Sequence, residues 1–464
     1  MLRQNWLEQT IVAISTPPGE GGIGVVRISG EKAVAVSDHF FKAKNGKSVA
    51  SQKSFTVRFG HVKDRDGRVI DEALLLLMKA PKSYTGEDVV EISVHGGQAV
   101  LQSVVRLALA AGARLAEPGE FTKRAFLNGR MDLLQAEAVL EMIRAKTDRS
   151  LGWAAAQLEG VLSKKIKIWK DELVDLMSHL EASIDFPDDF PETDSVSQIR
   201  KRIQKLLEEL RLTLEDSELA LLAKRGFKVV LWGRPNVGKS SLLNCFVRKE
   251  RAIVTPYPGT TRDVVEEEIS LGGFPIRFQD TAGVHDTEHP IEKEGIERSK
   301  KAMAGADLIL MVLDASQALS DSDHSLLKEI KGKPVVLALN KSDLPSRLNS
   351  KELKSISDAQ LIIPCSCVQE RGTQELEKAL LGILTNGKLE ASEEALITTA
   401  RQKDLLEKVS KALLAGMQIL DETGSPELIA SDLRQGLDYL GALVGEVVTD
   451  DILEVLFKQF CIGK

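Results

Sequence analysis

At 464 residues, with 43% hydrophobic and 28% charged side chains, the chain has an ordinary globular composition and length for two or three domains. A formal net charge of −7 gives the whole chain no general attraction to nucleic acid, no run approaches the roughly 18 apolar residues of a membrane span, and four cysteines are too few for a disulfide framework. The start, Met1-Leu-Arg-Gln-Asn-Trp-Leu-Glu8, has an early glutamate and no signal-type apolar core, so a cytoplasmic location and no membrane partner are expected.

Residues 1–119 read as a mixed α/β domain. Strand-like runs at 10–15 and 24–29 flank the Pro/Gly stretch 17–22. Further strands are expected at 54–62, 69–78 and 89–94, the first two of these joined by a Lys-Asp-Arg-Asp-Gly-Arg turn at 63–68. A helix over about 98–111 follows His95-Gly96-Gly97. Residues 120–222 turn helical, with apolar residues at three- and four-residue spacing over 133–147 and 151–184. Phe186-Pro-Asp-Asp-Phe-Pro191 breaks that pattern before another helix at about 195–222. Residues 223–386 form a nucleotide domain, and 387–464 are helical again up to a Cys461-Ile-Gly-Lys464 tail. The expected fold class is therefore multidomain α/β plus all-α. Helices on both sides of a complete α/β domain suggest one bundle with the nucleotide domain inserted in it. The basic runs 164–170, 200–202 and 224–225 read as solvated helix faces. Cys245, Cys365 and Cys367 fall in or beside core elements as small hydrophobes.

The chemistry is most explicit in the middle of the chain. Gly233-Arg-Pro-Asn-Val-Gly238-Lys239-Ser240 is a complete G-x-x-x-x-G-K-S loop between a strand-like run, 227–232, and a helix-like run, 241–247. Glycines let backbone N–H groups wrap phosphates, and the following helix N-terminus adds partial positive charge. Lys239 is expected on the β/γ-phosphates and the Ser240 hydroxyl on Mg²⁺; Gly233, Asn236, Val237, Gly238 and Ser241 complete the loop's candidate contacts. Asp280-Thr281-Ala282-Gly283 follows a second strand-like run, and its Asp can hold Mg²⁺ through water while the Gly283 amide meets a γ-phosphate. Asn340-Lys341-Ser342-Asp343 follows a third. The Asp343 carboxylate can accept from N1–H and the exocyclic amine of guanine, a donor pair that adenine lacks, so the nucleotide is expected to be GTP. Ser366-Cys367 is expected to supply the last loop on the guanine side.

The position after Asp-Thr-Ala-Gly, where small signalling GTPases usually carry Gln, is Val284, which cannot orient water. Asp286, Glu288, Glu292 and Glu294 follow as candidate replacements. There is no obvious arginine finger. Asn236, with backbone carbonyls of Thr255-Pro-Tyr-Pro-Gly-Thr-Thr-Arg-Asp263, could instead cage a monovalent cation beside the phosphates. The other reading of Asn236 is a loop-stabilising hydrogen bond. Thr260 and Thr261 are both candidates for the threonine that completes the Mg²⁺ shell.

Several long strings resemble the MnmE (TrmE) tRNA-modification GTPases over essentially the whole chain: Thr16-Pro-Pro-Gly-Glu-Gly-Gly-Ile-Gly-Val-Val-Arg-Ile-Ser-Gly30, Ser83-Tyr-Thr-Gly-Glu-Asp-Val-Val-Glu91, His95-Gly-Gly97, Glu117-Pro-Gly-Glu-Phe-Thr-Lys-Arg-Ala-Phe-Leu-Asn-Gly129, Asp132-Leu-Leu-Gln-Ala-Glu137 and Phe460-Cys-Ile-Gly-Lys464. The resemblance implies a homodimer built through an N-terminal domain that binds a folate one-carbon carrier, methylene- or formyl-tetrahydrofolate. It implies an FAD-dependent MnmG-type partner in a heterotetramer, and tRNA whose wobble uridine receives an aminomethyl or carboxymethylaminomethyl group on C5. It also implies GTPase domains that associate face to face under K⁺. Residue by residue it places Arg27, Glu91, Arg130 and Lys464 on the folate. Some members have Lys at the position of Arg130, a cation of different geometry. Asn236, Thr255, Tyr257 and Thr260 fall on K⁺, Thr261 on Mg²⁺, and Glu292 as the acid acting through water. Read without the family, Arg27 and Glu91 make a salt bridge between strands. Cys461 is either a nucleophile beside the one-carbon unit or a docking residue. The rival function is a GTP-gated ribosome or RNA assembly factor, which would have no reason to bind folate and would carry an RNA-binding appendage such as a KH fold.

Overall fold

The computed structural model describes residues 9–185, 192–249, 266–280, 303–369, 371–385, 387, 397–422 and 425–464. Two compact units emerge, one of Met1–Leu140, Gln157–Leu180 and Leu433–Lys464, the other of Glu141–Ala156 and Glu181–Asp432.

The first unit grows from period-two alternation. Strands β1 (Ile11–Ile14) and β2 (Gly21–Ser29) are followed by α1 (Ala33–Phe40), β3 (Phe41–Ala43), β4 (Thr56–Lys63), β5 (Val69–Met78), β6 (Val89–Gly96), α2 (Gln98–Ala110) and β7 (Arg114–Leu115). They form one sheet in the order β3-β4-β5-β6-β2-β1-β7. Every neighbouring pair is antiparallel except β1 and β7. Val26, Ile28, Leu75, Leu77, Val90 and Ile92 point to one face, where they bury against Val36 and Phe40 of α1 and Leu101, Val104 and Ala108 of α2. That alternation sends Arg27 and Glu91 to the other face as directly opposed partners in the β2–β6 register. The turn expected at 63–68 closes the β4–β5 hairpin, with Asp64 and Arg68 paired through the Asp64 backbone N–H at 2.9 Å.

Helices follow: α3 (Glu120–Leu127), α4 (Leu133–Arg144), α5 (Asp148–Leu158), α6 (Val161–Asp185) and α7 (Glu192–Arg225). The single helix expected over 151–184 is two. Gly160 sits at φ +79°, a left-handed conformation that ends α5. The Gln135 amide donates to the Leu158 carbonyl at 2.9 Å, meeting an acceptor that a continuing helix would have used. Elements α1, β3 and β7 were not expected either. The two short strands are too brief for a periodic signal, and α1 has no side-chain N-cap.

In the second unit, β8 (Phe227–Trp232), α8 (Lys239–Lys249), β9 (Glu266–Leu271), β10 (Phe274–Asp280), β11 (Leu308–Asp314), α9 (Asp321–Glu329), β12 (Val335–Asn340), α10 (Ser350–Ile356), β13 (Leu361–Pro364) and α11 (Thr373–Leu384) build a sheet of order β13-β12-β11-β8-β10-β9. All pairs are parallel except β9 with β10. Parallel strands covered on both faces read as unbroken apolar runs; every residue of β11, Leu-Ile-Leu-Met-Val-Leu-Asp, is buried. Apolar clusters lie on both sides, around Val229, Leu231 and Leu310 on one and around Val230, Met311 and Leu337 on the other. The chain ends in α12 (Ala400–Glu422), α13 (Pro426–Val444) and α14 (Asp450–Phe457). Helix α12 packs along α7, tied by an Arg200–Asp421 ion pair.

Candidate functional site

The first candidate site lies at the carboxyl ends of the parallel strands, where such sheets bind ligands. β8 ends at Trp232 and the chain turns through 233–238 into α8. Two glycines make that turn possible. At Gly233 (φ +142°) a Cβ would stand 2.4 Å from the Val312 carbonyl oxygen, and at Gly238 (φ +98°) it would stand 2.1 Å from the Asn340 amide nitrogen. Asn236 is also left-handed, at φ +63°, a conformation that Asn tolerates better than most residues. The Lys239 side chain is buried, and Nζ donates to the carbonyls of Gly233 at 2.7 Å and Arg234 at 2.9 Å. Arg234 in turn pairs with the buried Asp323 at 2.7 Å.

The loop after β12 is stitched to this one. Asn340 Nδ2 donates to the Val237 carbonyl at 2.9 Å. Lys341 Nζ donates to the Asn236 carbonyl at 3.3 Å and pairs with Asp314 at 2.7 Å. Burial alone would push the Asp314 carboxyl up, but Lys341 and the Ser316 hydroxyl and amide outweigh it and hold it below the usual carboxylate range. The Ser366 hydroxyl donates to Asp343 Oδ1 at 2.6 Å, and the Cys367 amide to Asn340 Oδ1 at 3.4 Å. A cavity of about 570 Å³ results, with Asn236, Lys239, Ser240 and Ser241 on one wall, Asn340, Lys341 and Asp343 on another, and Cys367 and Val368 on a third. Burial, with Cys245 as a neighbour, pushes the Cys365 and Cys367 thiols up to about 12, so both are protonated at neutral pH. Cys245 and Cys365 are buried and Cys367 is half-buried.

Asp280 closes β10 beside Leu231 of β8, which sets its backbone next to the start of the phosphate-type loop. Thr255, Tyr257, Thr260, Thr261, Thr281, Ala282, Gly283, Asp286, Glu288, Glu292 and Glu294 lie outside the described residues.

The second candidate site lies in the first unit, on the sheet face opposite α1 and α2. Arg27 Nε and Glu91 Oε1 are 2.8 Å apart, the salt bridge that the strand reading anticipates. The Arg27 guanidinium lies 4.9 Å from the Tyr84 ring centroid and 5.6 Å from that of Phe121. Arg130 stands 5.1 Å from the same Tyr84 ring and donates to the Tyr84 carbonyl at 3.0 Å. The carboxyl-terminal tail completes the group. The Gly463 carbonyl accepts from Ser15 Oγ at 3.2 Å and Arg27 Nη1 at 3.4 Å. The Phe121 amide donates to the Lys464 carbonyl at 3.2 Å and the Gly119 amide to the Cys461 carbonyl at 3.4 Å. Gly463 has φ +95°, and a Cβ there would stand 2.2 Å from the Ile14 carbonyl oxygen. Burial, then repulsion from Arg27, lowers the Lys464 amine from the usual lysine range, with Glu91 and Cys461 opposing. The Cys461 side chain is exposed.

Thus Arg27 and Arg130 share the Tyr84 ring, Glu91 pairs with Arg27, and Lys464 lies within electrostatic reach of Arg27 and Glu91, although the four are far apart in sequence. Tyr84, Phe121 and Gly463 were not singled out beforehand, though each sits inside a string that carries the family resemblance. Nearby, Arg124, fully buried, bridges Glu87 at 3.0 Å and Glu120 at 2.9 Å, and so braces the Tyr84 segment against α3.

Comparison with known proteins gives two family-model matches: the MnmE helical domain over residues 133–461 and the GTP-binding protein TrmE N-terminus over residues 10–130. The chain is 42% identical to the tRNA modification GTPase MnmE of Clostridioides difficile over 459 residues, 99% of this chain and 100% of that protein. It is 43% identical to the protein of the same name from Thermoanaerobacter pseudethanolicus over 456 residues, 98% of this chain and 99% of that one.

Proposed function

The chain belongs to the MnmE family of tRNA modification GTPases, and from that premise we propose how its residues divide the work. It is a GTP hydrolase acting in tRNA modification. The observation that carries the nucleotide part is the single cavity on which the 233–241, 340–343 and 366–368 segments converge. In our reading Gly233, Asn236, Val237, Gly238, Lys239, Ser240 and Ser241 hold the phosphates with Thr281, Ala282 and Gly283, while Asn340, Lys341 and Asp343 hold guanine. Ser240 and Thr261 would hold Mg²⁺, with Asp280 reaching it through water. The exposed Ser240 at the start of α8 suits such a ligand. Mg²⁺ would supply charge neutralisation on the phosphates.

We further propose that Asn236, Thr255, Tyr257 and Thr260 hold K⁺, which would supply positive charge in place of an arginine finger. The fit rests on Asn236, exposed on the cavity wall in a conformation that turns the backbone sharply. Hydrolysis is expected to be much faster in K⁺ than in Na⁺, and Asn236→Ala to remove that difference while GTP still binds. Equal rates of the unmodified protein in both salts would overturn the assignment. Glu292 is proposed to orient the attacking water. Glu292→Ala is expected to bind GTP normally and to hydrolyse it about 10²–10⁴-fold more slowly. A comparable loss in Asp286→Ala or Glu288→Ala, with Glu292→Ala unaffected, would move the role to another carboxylate.

For the second site we propose a folate one-carbon carrier, methylene- or formyl-tetrahydrofolate, which would supply the carbon unit. The donor set suits it: Glu91 can accept from a pterin edge, the partly exposed Tyr84 offers an aromatic face, and Arg27, Arg130 and Lys464 can meet carboxylates. Cys461 stands beside them either as nucleophile or as docking residue. The chain would work as a homodimer with an FAD-dependent MnmG-type protein on the wobble uridine of tRNA, in the cytoplasm. Its domains would run 1–119, 120–222, 223–386 and 387–464, with the GTPase domain inserted in the helical one. The pairing of α7 with α12 across the nucleotide domain supports that insertion. The test is mass spectrometry of wobble nucleosides from a strain lacking this chain. Loss of the C5 substituent is expected, and an unchanged nucleoside profile would overturn the reading and return the assembly-factor alternative.

A further inference from the structure

Two of the sequence segments proposed to meet the nucleotide are joined by one β ribbon. β9 begins at Glu266, three residues after Asp263 of the stretch assigned to the cations, and β10 ends at Asp280, where Asp-Thr-Ala-Gly starts. In the ribbon's register Glu268 faces Arg277 and Leu271 faces Phe274. Its far end turns through Gly272 (φ +55°) and Gly273 (φ +82°). β10 pairs with β8, and β9 is the last strand of the sheet on that side. Strands of this length span about 20 Å at about 3.3 Å per residue, so a shift at the Asp280 end is carried along the ribbon to the turn.

The start of α5 is pressed against that ribbon. Thr147 and Ser150 cap the helix reciprocally, the Ser150 amide donating to Thr147 Oγ1 at 3.2 Å and the Thr147 amide to Ser150 Oγ at 3.1 Å. The cap fixes Lys146 just before the helix and Arg149 in its first turn. Lys146 Nζ pairs with Glu268 at 2.6 Å, and Arg277 Nε approaches the same carboxylate at 3.7 Å. The Arg149 guanidinium lies 4.7 Å from the Phe274 ring centroid and 5.8 Å from that of Trp153. A Cβ on Gly273 would stand 3.4 Å from the Arg149 Cβ, so helix and turn are in contact. Trp153, 3% exposed, belongs to the apolar cluster of Phe227, Leu271, Phe274 and Ile276, yet its Nε1 has no hydrogen-bond partner among the described residues. A buried donor left unpaired costs stability, so packing alone does not account for a tryptophan here. On the helical side, Lys224 of α7 pairs with Glu141 at 2.6 Å and donates to the Thr398 carbonyl at 3.3 Å, which ties the chain leading into α5 to α7.

We propose that residues 146–153 form a strut, in which Lys146 and Arg149 are positioning residues that turn a shift of the β9–β10 ribbon into a shift of α5. A nucleotide can move α5 only through contacts that differ between its bound states. Glu268 and Phe274 offer such contacts, because they ride on the ribbon while Lys146 and Arg149 ride on the helical segment. The inference rests on the GTPase reading for the identity of the ligand. It adds the route by which the state of the nucleotide cavity reaches the helices flanking it.

The test is hydrogen–deuterium exchange of the full-length chain with GDP and with a non-hydrolysable GTP analogue. Backbone amides of residues 148–153 are expected to exchange at rates that differ about 2–30-fold between the two states, the range that one cation over an aromatic ring can supply. Arg149→Ala is expected to erase that difference and to lower wobble modification in cells, while both nucleotides bind and GTP is hydrolysed as in the parent. Arg149→Lys, which keeps a cation over the rings, should restore both. Lys146→Met keeps the aliphatic stem and removes only the charge on Glu268, so it should shrink the difference even if Arg149→Ala folds poorly. A merely stabilising contact predicts something else: equal exchange in both states of the parent, or a lower melting temperature in Arg149→Ala with the nucleotide dependence and the modification intact. Either result would overturn the inference. A parent chain that binds neither nucleotide would overturn the GTPase reading and the strut with it, whereas binding of both with no change at 148–153 would sink the strut alone.

Discussion

Asp343→Asn is expected to abandon GTP for xanthosine triphosphate. A carboxylate accepts two hydrogen bonds from guanine, and a site built around such bonds rejects a partner that cannot make them by about 10⁴–10⁵-fold. The geometry makes the exchange specific. Ser366 Oγ donates to Asp343 Oδ1 at 2.6 Å. In the amide variant that donor selects the oxygen and leaves the NH₂ group for the base, where the xanthine carbonyl can accept it. Ser366→Ala in the Asn background should therefore blunt the switch. The measurement is competition between the two nucleotides for the variant and the parent. Undiminished GTP preference would remove Asp343 as the base reader.

Removing residues 461–464 is expected to abolish wobble modification and to leave the fold and GTP hydrolysis nearly unchanged. Phe460, the last large apolar side chain to pack, is 4% exposed within the cluster of Ala125, Leu133, Leu453 and Phe457, and the deletion spares it. The removed tail contributes backbone hydrogen bonds to Arg27, Ser15, Gly119 and Phe121 and the side chains of Cys461 and Lys464. Gly463→Ala makes the same point with one methyl group, since its Cβ would stand 2.2 Å from a carbonyl oxygen at φ +95°. The Lys464 amine is lowered on docking, so the undocked tail binds more protons, and docking strengthens as pH rises toward the ordinary lysine range. Cys461→Ser then separates the two roles of that residue: full modification would leave it as part of a clamp, and loss would assign it a chemical step. Modification that persists in the tail deletion would overturn the reading of this cleft.

Much of this protein is written locally. A phosphate-binding loop needs glycines, a lysine and a hydroxyl at fixed spacing between a strand and a helix, so Gly233, Gly238, Lys239 and Ser240 announce themselves within eight residues. The long strands of the first sheet and the unbroken apolar runs of the second are equally legible, because burial on one face or two imposes its own period. What the sequence left open depends on partners distant along the chain. A helix drawn through Gly160 breaks there because that glycine turns left-handed and Gln135 meets the freed carbonyl. β3 and β7 exist only because longer strands offer them an edge. Arg27 and Glu91 are separate entries in a sequence until the β2–β6 register sets them opposite each other. Tyr84, Phe121, Arg130 and the tail join them through packing across residues 11–130 and the last helix. A contiguous motif is fixed by backbone geometry over a few residues, whereas a cleft made from both ends of the chain is fixed by strand register and by the one residue, Gly463, small enough to let the tail lie against β1.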